Sequence, residues 1–351
     1  MKAWVLHDIN DLRWEERNLP APGEGWVRVR VIAAGVCGSD LPRIFQTGAH
    51  RMPLVPGHEF AGEVDLVGAG VEGLARGQRV SVFPLIPCRK CGPCRMGHVE
   101  MCRDYDYVGS RRDGAFAEFV TIPAWNLLKL PDNVSDEAGA MMEPLSVAVH
   151  AMRTGTGSGS QELPKEATVA VCGLGPIGFA LILFLMQRGY RNLYLIGNKD
   201  FQKNRAVSLG IPEERFFDSR QGDAASWLYE MTGGTDLFFE CTGRNEALSI
   251  GVEGAGPAGR IVLVGNPHGN MALDRQIYWK ILRNQLSLSG IWNSFYNGTP
   301  EDDWHYAMGL LQSGQIKPES LITHRYALSE LDRALSVMQD SGQDHCKVML
   351  I

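Results

Sequence analysis

Residues 168 to 188 constrain the fold of this chain more than any other stretch. Thr168-Val169-Ala170-Val171-Cys172 is an apolar run suited to a strand buried on both faces, Gly173-Leu174-Gly175-Pro176-Ile177-Gly178 follows at once, and an apolar segment of helical length continues to about Arg188. Strand, G-x-G-x-x-G and helix in that order give the glycine spacing a physical meaning: the glycines let backbone approach a pyrophosphate lying at the positive end of the helix. A dinucleotide-binding unit is expected, with Gly173, Gly175, Pro176, Ile177 and Gly178 at its phosphate loop. Strand signals recur at Leu193 to Ile196, Phe216-Phe217, Asp236 to Glu240 and Arg260 to Val264, which is the pattern of a doubly wound parallel sheet.

The 351 residues exceed what one hydrophobic core usually organises, so more than one domain is expected. Before Thr168 the texture is that of short strands and Pro/Gly turns: Lys2 to Leu6, a break at Asn10-Asp11, then Trp26 to Ile32, where alternation places Val27, Val29 and Val31 on one face. Gly62 to Val67, Arg79 to Phe83 and Phe116 to Thr121 read as further strands of this all-β region. Thr154 to Ser160 is rich in glycine and serine and reads as a loop near a domain boundary. The expected division is 1–145, 146–285, and 286–351 returning to the first domain with helices at Glu301 to Gln312 and Ser329 to Gln339 and a last strand at Lys347 to Ile351.

The N-terminal region carries two sets of metal-ligand chemistry. Cys37-Gly38-Ser39-Asp40 and Gly57-His58-Glu59 supply thiolate, imidazole and carboxylate, donors that suit a borderline-soft ion such as zinc at an open catalytic site. By themselves a Cys and a His twenty-one residues apart read more readily as an ordinary buried thiol and a hydrogen-bonded core histidine, and it is the rest of the chain that reverses this. Cys88, Cys91, Cys94 and Cys102 form C-x2-C-x2-C-x7-C on a loop with no core of its own, the pattern of a closed tetrahedral structural zinc site, the alternatives being an iron–sulfur cluster or free thiols.

Composition narrows the function classes. A net charge of -6 leaves no basic excess for nucleic-acid phosphates. Met1 to Asn10 has neither the basic nor the apolar region of a signal peptide, and the most apolar run, Ile177 to Met186, is half the roughly 20 residues a membrane span needs. A cytoplasmic protein is expected, in which close cysteine spacing points to metal or catalysis rather than disulfides.

Taken together, Cys37-Gly38-Ser39-Asp40, Gly57-His58-Glu59, the four-cysteine loop, Glu143-Pro144 and Gly173 to Gly178 resemble the zinc-dependent medium-chain dehydrogenases over essentially the whole chain. Glu143-Pro144 is similar to the polyol branch, and Cys37 to Phe45, Gly48-Ala49-His50 and Gly109 to Gly114 look most like the galactitol-1-phosphate 5-dehydrogenases. The resemblance implies a GroES-like β-barrel catalytic domain, a Rossmann domain, an active site in the cleft between them, and a homodimer or homotetramer. It implies a catalytic zinc on Cys37, His58 and Glu143, with Glu59 as an alternate ligand or neighbour of the ligands, a structural zinc on the four cysteines, and hydride transfer between a polyol or polyol phosphate and NADP or NAD.

Ser39 matches the hydroxyl that opens the family's proton relay, its bland alternative being a turn or N-cap serine. Asp40 is expected behind a metal-bound histidine. Pro42 stands where the relay's last histidine would be, so Glu59 becomes the expected proton exit. Arg43, His50, Arg111 and Arg112 are the expected phosphate ligands, unless the arginines pair with carboxylates such as Asp113 or Asp104. A non-enzymatic relative is the competing class, though such relatives lack the ligand sets kept here. At the end of the second Rossmann strand stands Gly197-Asn198-Lys199, with no carboxylate for the ribose hydroxyls. Gly197 is expected to leave room for a 2′-phosphate, and Asn198 and Lys199 to contact it, with Lys203 and Arg205 adding positive potential. Preference for NADP, or dual use, follows.

Overall fold

The computed structural model describes residues 1–267 and 269–351 and begins with a hairpin, β1 (Lys2–Asp8) and β2 (Asp11–Glu16), turning at Asn10 with φ 63°. Asparagine tolerates that left-handed conformation better than most residues. β2 went unseen in the sequence because four of its six residues are charged. There follow β3 (Trp26–Val36), β4 (Glu59–Val67), β5 (Arg79–Val82), β6 (Leu85–Ile86), β7 (Asp106–Tyr107), β8 (Phe119–Pro123) and β9 (Leu127–Lys129).

The next strands are β10 (Val169–Cys172), β11 (Leu193–Gly197), β12 (Phe216–Asp218), β13 (Thr235–Glu240), β14 (Ala255–Leu263) and β15 (Ser287–Gly290). β16 (Ile322–Tyr326) and β17 (Lys347–Leu350) close the chain. Contacts divide it into residues 1–146 with 294–351, and residues 147–293.

In the first unit a seven-stranded sheet runs β16-β17-β3-β4-β5-β9, with β8 on the other length of β3. Val27, Val29, Val64, Val80 and Ile122 pack with Leu331, Leu335, Val348 and Leu350 in one core, so burial of apolar surface draws the C-terminal segment back. β17 lies antiparallel to the end of β3, pairing Val348 with Val36 and Met349 with Gly35. The last strand of the chain is thereby delivered beside Cys37.

The second unit is a six-stranded parallel sheet in the order β12-β11-β10-β13-β14-β15. The order reverses between β10 and β13, and ligands of such sheets bind at the carboxyl ends of the strands where it does. Two expectations need correction. The return after residue 285 comes too early, because β15 pairs with β14 through Leu263 and Gly290 and the unit extends to Asn293. Its sequence, Ser-Leu-Ser-Gly, carries little apolar signal because all four residues are exposed. Thr154 to Thr156 are not loop but the end of the helix Met142–Thr156. A Cβ at Gly155 would stand 2.7 Å from the Phe239 ring, so this glycine serves close helix–sheet packing rather than flexibility.

Candidate metal centres and dinucleotide site

Cys37 leaves the end of β3 and His58 immediately precedes β4; the antiparallel register of those strands, Gly35 opposite Glu59, brings the two together. Ligand atoms of Cys37, His58 and Glu59 all lie within 4.8 Å of one another. Gly35 is what makes room, since a Cβ there would stand 2.3 Å from Glu59 Oε2. Glu59 is 1% exposed and receives a hydrogen bond from Nζ of Lys347, itself 1% exposed, which also donates to the Val36 carbonyl at 3.2 Å. A carboxylate so sealed does not reach solvent, which removes Glu59 as the proton exit.

Glu143, on the helix Met142–Thr156, is also buried and accepts a 3.3 Å hydrogen bond from the Tyr107 hydroxyl. The Tyr107 ring centroid is 5.9 Å from that of His58. Sequence reasoning missed both Tyr107 and Lys347, which no spacing marks. The 4.8 Å grouping contains Glu59 rather than Glu143, whereas the resemblance had made Glu143 the ligand and Glu59 the alternate. Burial raises the Glu143 carboxyl to about 7, with Glu59 adding to the rise and His58 and Lys347 opposing it.

His58 is buried with Asp40 behind it, Oδ1 of Asp40 being 3.6 Å from Nδ1 of His58, an ion-pair distance rather than a hydrogen bond. Burial disfavours the imidazolium, but Asp40 and Cys37 outweigh it and hold His58 well above its usual value. His58 Nδ1 is a buried atom without a hydrogen-bond partner. A thiol, an imidazole and a buried carboxylate whose ligand atoms lie within 4.8 Å of one another are a donor set that fits a zinc ion. Ser39 is exposed and its hydroxyl donates to Cys37 Sγ at 3.3 Å; it stands in a turn at the N-cap position of the helical turn that follows, without a side-chain cap bond to it. Pro42 closes that turn, Asp40–Pro42.

The three arginines among the expected phosphate ligands have partners within the protein. Arg43 pairs with Asp40 at 2.5 Å, and Asp40 also accepts from the Cys37 backbone N–H at 3.0 Å, so this arginine braces the loop behind His58. Arg112 pairs with Asp106 at 2.7 Å and lies 4.4 Å over the Trp26 ring. Its backbone N–H also donates to the Tyr107 carbonyl at 3.2 Å. The carboxylates engaged are thus Asp40 and Asp106, not Asp104 or Asp113, which meet Lys90 and the Val55 N–H instead. Arg111 stacks on Tyr105 at 4.3 Å and leaves a buried Nε unpaired, while His50 is exposed.

Cys88, Cys91, Cys94 and Cys102 present four sulfurs within 4.8 Å of one another. The Arg103 and Cys94 backbone N–H groups draw the Cys91 thiol down to about 6, whereas burial pushes Cys94 up to about 12. A loop that aims amides at its sulfurs fits a thiolate-bound metal.

In the second unit the glycines divide the work. Gly173 takes φ +97°; a Cβ at Gly178 would stand 2.1 Å from the Gly173 carbonyl; and nothing lies within 4 Å of a Cβ at Gly175, the N-cap of the helix Pro176–Gln187. Turn, close helix–strand packing and open approach to a helix N-terminus are together what a pyrophosphate needs, with Pro176 at the first helical position and Ile177 after it. Glu240, buried at the end of β13, accepts from the backbone N–H groups of Thr242 at 2.6 Å and Gly243 at 2.9 Å and shapes the neighbouring loop.

At the end of β11 one expectation fails. Gly197 is buried, and a Cβ on it would meet Oε1 of Gln202 at 2.6 Å and the Phe216 ring at 3.0 Å. The Gln202 amide, accepting from Asn198 N at 2.8 Å and donating to the Leu174 carbonyl at 3.2 Å, fills the space expected for a phosphate. Asn198 is exposed, and Lys199 N-caps the helix Asp200–Ser208. Lys203 is tied to Glu213 at 2.6 Å, and Arg205 lies over the Phe201 ring at 5.1 Å.

Comparison with known proteins gives the family. Residues 23–132 match the alcohol dehydrogenase GroES-like domain and residues 136–350 the glucose dehydrogenase C-terminus. Galactitol 1-phosphate 5-dehydrogenase of Escherichia coli (strain K12) is 35% identical over 312 residues, 88% of either chain. L-idonate 5-dehydrogenase of Vitis vinifera is 33% identical, over 95% of this chain and 89% of that one. The crystal structure of galactitol-1-phosphate dehydrogenase from Escherichia coli superposes with TM-score 0.91 at 33% identity over the whole of both chains. A zinc-binding dehydrogenase of Sinorhizobium meliloti 1021 bound to NADP gives 0.88 at 25% identity, covering 100% of this chain and 98% of that one. An Escherichia coli CFT073 alcohol dehydrogenase (rspB) with NADH gives 0.89 at 31%, with the same coverage. The family's cofactors are zinc and a nicotinamide dinucleotide, and the chain, with a GroES-like domain and a Rossmann sheet, belongs to the zinc-dependent medium-chain dehydrogenases as an alcohol/polyol dehydrogenase.

Proposed function

We propose that the enzyme oxidises a secondary alcohol of a polyol phosphate such as galactitol 1-phosphate, and that it prefers NADP. The observation carrying the reaction is the grouping of Cys37, His58 and Glu59 ligand atoms within 4.8 Å of one another, with the buried Glu143 held by Tyr107, whose ring neighbours His58. These four would hold the catalytic zinc, and Cys88, Cys91, Cys94 and Cys102 the structural one. Bound zinc would supply polarisation of the substrate hydroxyl, and bound nicotinamide the hydride acceptor. The alcohol carbon gives up a hydride and its hydroxyl a proton. Ser39, exposed beside Cys37, hands that proton to water, Asp40 orients His58, and Tyr107 orients the Glu143 carboxylate.

The phosphate reading is supported by the galactitol 1-phosphate relative and by Arg111, whose Nε is buried and unpaired, with His50 nearby in sequence to the loop after Arg43. A second reading, an unphosphorylated polyol, is favoured by the internal pairing of Arg43 and Arg112. The test compares kcat/KM for galactitol and galactitol 1-phosphate. Equal values would reject the phosphate, and Arg111→Gln should cost activity only toward the phosphorylated substrate. NADP preference is supported by the absence of a carboxylate at Gly197 and Asn198, and the NADP to NAD ratio of kcat/KM tests it.

A homodimer or homotetramer belongs to the same proposal. Tyr278, Trp279 and Leu282 on the helix Arg275–Arg283, Leu288 on the edge strand β15 and Trp292 just after it remain exposed, and apolar surface of that kind is usually covered by a partner. Sedimentation velocity checks it. A cytoplasmic location accords with eight cysteines free of disulfides.

A further inference from the structure

Of the cations expected to read a 2′-phosphate, Lys203 is tied to Glu213 and Arg205 lies over Phe201, yet a guanidinium that sequence reasoning passed over stands at the end of β11. Gly197 pairs with Asp218 in the parallel register of β11 and β12, and the Gly197 carbonyl accepts from Ser219 N at 2.8 Å. The loop leaving β12 is thus bonded onto the end of β11, and its next residue is Arg220. In Rossmann units the group that reads the ribose stands at the end of this second strand.

Arg220 is gripped side-on by one buried carboxylate. Its Nε and Nη2 donate to Asp218, at 2.9 Å to Oδ1 and 2.5 Å to Oδ2, and Asp218 is itself 7% exposed. That side-on grip leaves the opposite edge, Nη1 with Nη2, turned outward. Nη2 reaches Asp200 Oδ1 at 3.1 Å, and among the described residues Nη1 has no partner. The Asp200 side chain is 88% exposed and the Arg220 side chain 55%, so this last contact is readily exchanged. A guanidinium pinned by a buried carboxylate and offering two parallel N–H groups is pre-oriented for a phosphate dianion.

We infer that Arg220 is the specificity-determining residue that binds the 2′-phosphate of NADP, the phosphate displacing Asp200 from its outer edge. This rests on the NADP preference proposed above. It also explains why the carboxylate of Asp200, three residues beyond Gly197, need not repel that phosphate: Asp200 sits on the same guanidinium and, 88% exposed, can swing into solvent.

The test uses full-length, zinc-loaded protein and binding rather than turnover. Kd values for NADPH and NADH are read from tryptophan fluorescence quenching, with 2′,5′-ADP and 5′-AMP as competitors, for wild type, Arg220→Gln and Asp200→Asn. Arg220→Gln should lower the NADPH to NADH affinity ratio roughly tenfold at low ionic strength, less as salt screens the exposed charge, and weaken 2′,5′-ADP alongside. Asp200→Asn, which only removes the competitor, should tighten 2′,5′-ADP. A wild type that prefers NADPH while Arg220→Gln keeps the same ratio overturns the role of Arg220 and leaves the preference standing. A wild type that prefers NADH while Arg220→Gln still loses NADPH selectively overturns the preference and leaves Arg220 in place.

Discussion

Replacing Lys347 by methionine separates the two partners of the most deeply buried ion pair at the metal centre. The ammonium touches the Glu59 carboxylate and the Val36 carbonyl, and both residues of the pair are 1% exposed. Burial disfavours the charged lysine, but Glu59 and Cys37 prevail and its proton is held more tightly than usual. Methionine fills most of the volume but leaves Glu59 facing Val36 with no counter-charge. Losing one partner of a buried pair costs roughly 3–5 kcal/mol. For a unit of about 200 residues, each kcal/mol shifts Tm by about 2–4 °C, so the zinc-stripped variant should melt about 6–20 °C lower.

In zinc-loaded protein the loss should be smaller, because Glu59 lies within 4.8 Å of the Cys37 and His58 ligand atoms and the metal supplies the missing positive charge. Linkage then requires tighter zinc binding by the variant: a difference of about 2 kcal/mol between the two losses is roughly 30-fold in affinity. Melting with and without chelator, and competition against a chromophoric chelator, measure the two sides independently. Equal Tm losses in both states, or zinc affinity no greater than wild type, would refute the idea that ammonium and metal compete for one carboxylate.

Four further outcomes are expected. Glu143→Ala should lower turnover by orders of magnitude while the circular dichroism spectrum stays native; wild-type turnover would remove Glu143 from the ligand set. Cys91→Ser should halve zinc content from two ions to one per chain and lower Tm, and unchanged metal content would mean that the four-sulfur cluster holds none. In metal-free protein Glu143 titrates at about 7 and His58 well above its usual value, so below that pH zinc must expel both protons and above it fewer. Calorimetry in buffers of different ionisation enthalpy should therefore show more protons released per zinc, and weaker binding, near pH 6 than near pH 8, and a constant count would contradict it. Asn198→Asp, at an exposed position, should shift selectivity toward NAD without loss of Tm, whereas Gly197→Asp should destabilise the protein, since its Cβ collides with Gln202 and Phe216; a stable Gly197→Asp enzyme would show that Gln202 gives way freely.

The sequence by itself determined the parts whose signal is local. Four cysteines on one loop, a strand running through G-x-G-x-x-G into a helix, and Cys37 and His58 with their flanking glycines each compress their chemistry into about twenty residues, because ligand and phosphate geometry dictate spacing along the chain. Only the tertiary structure decided what surrounds them. Lys347 meets Glu59 across 288 positions because β17 pairs with β3, and Tyr107 reaches Glu143 across 36. Strand order and hydrophobic burial choose those partners, and neither leaves a mark at the residues concerned. The same holds for charge: in one dimension the partners of Arg43, Arg112 and Lys203 could not be named, Asp104 and Asp113 being the carboxylates offered for the arginines, and the fold supplies Asp40, Asp106 and Glu213 instead. Gly197 looked like space because a glycine states only what the residue itself omits; Gln202, five positions on, fills the gap once the following helix turns it back toward the strand end.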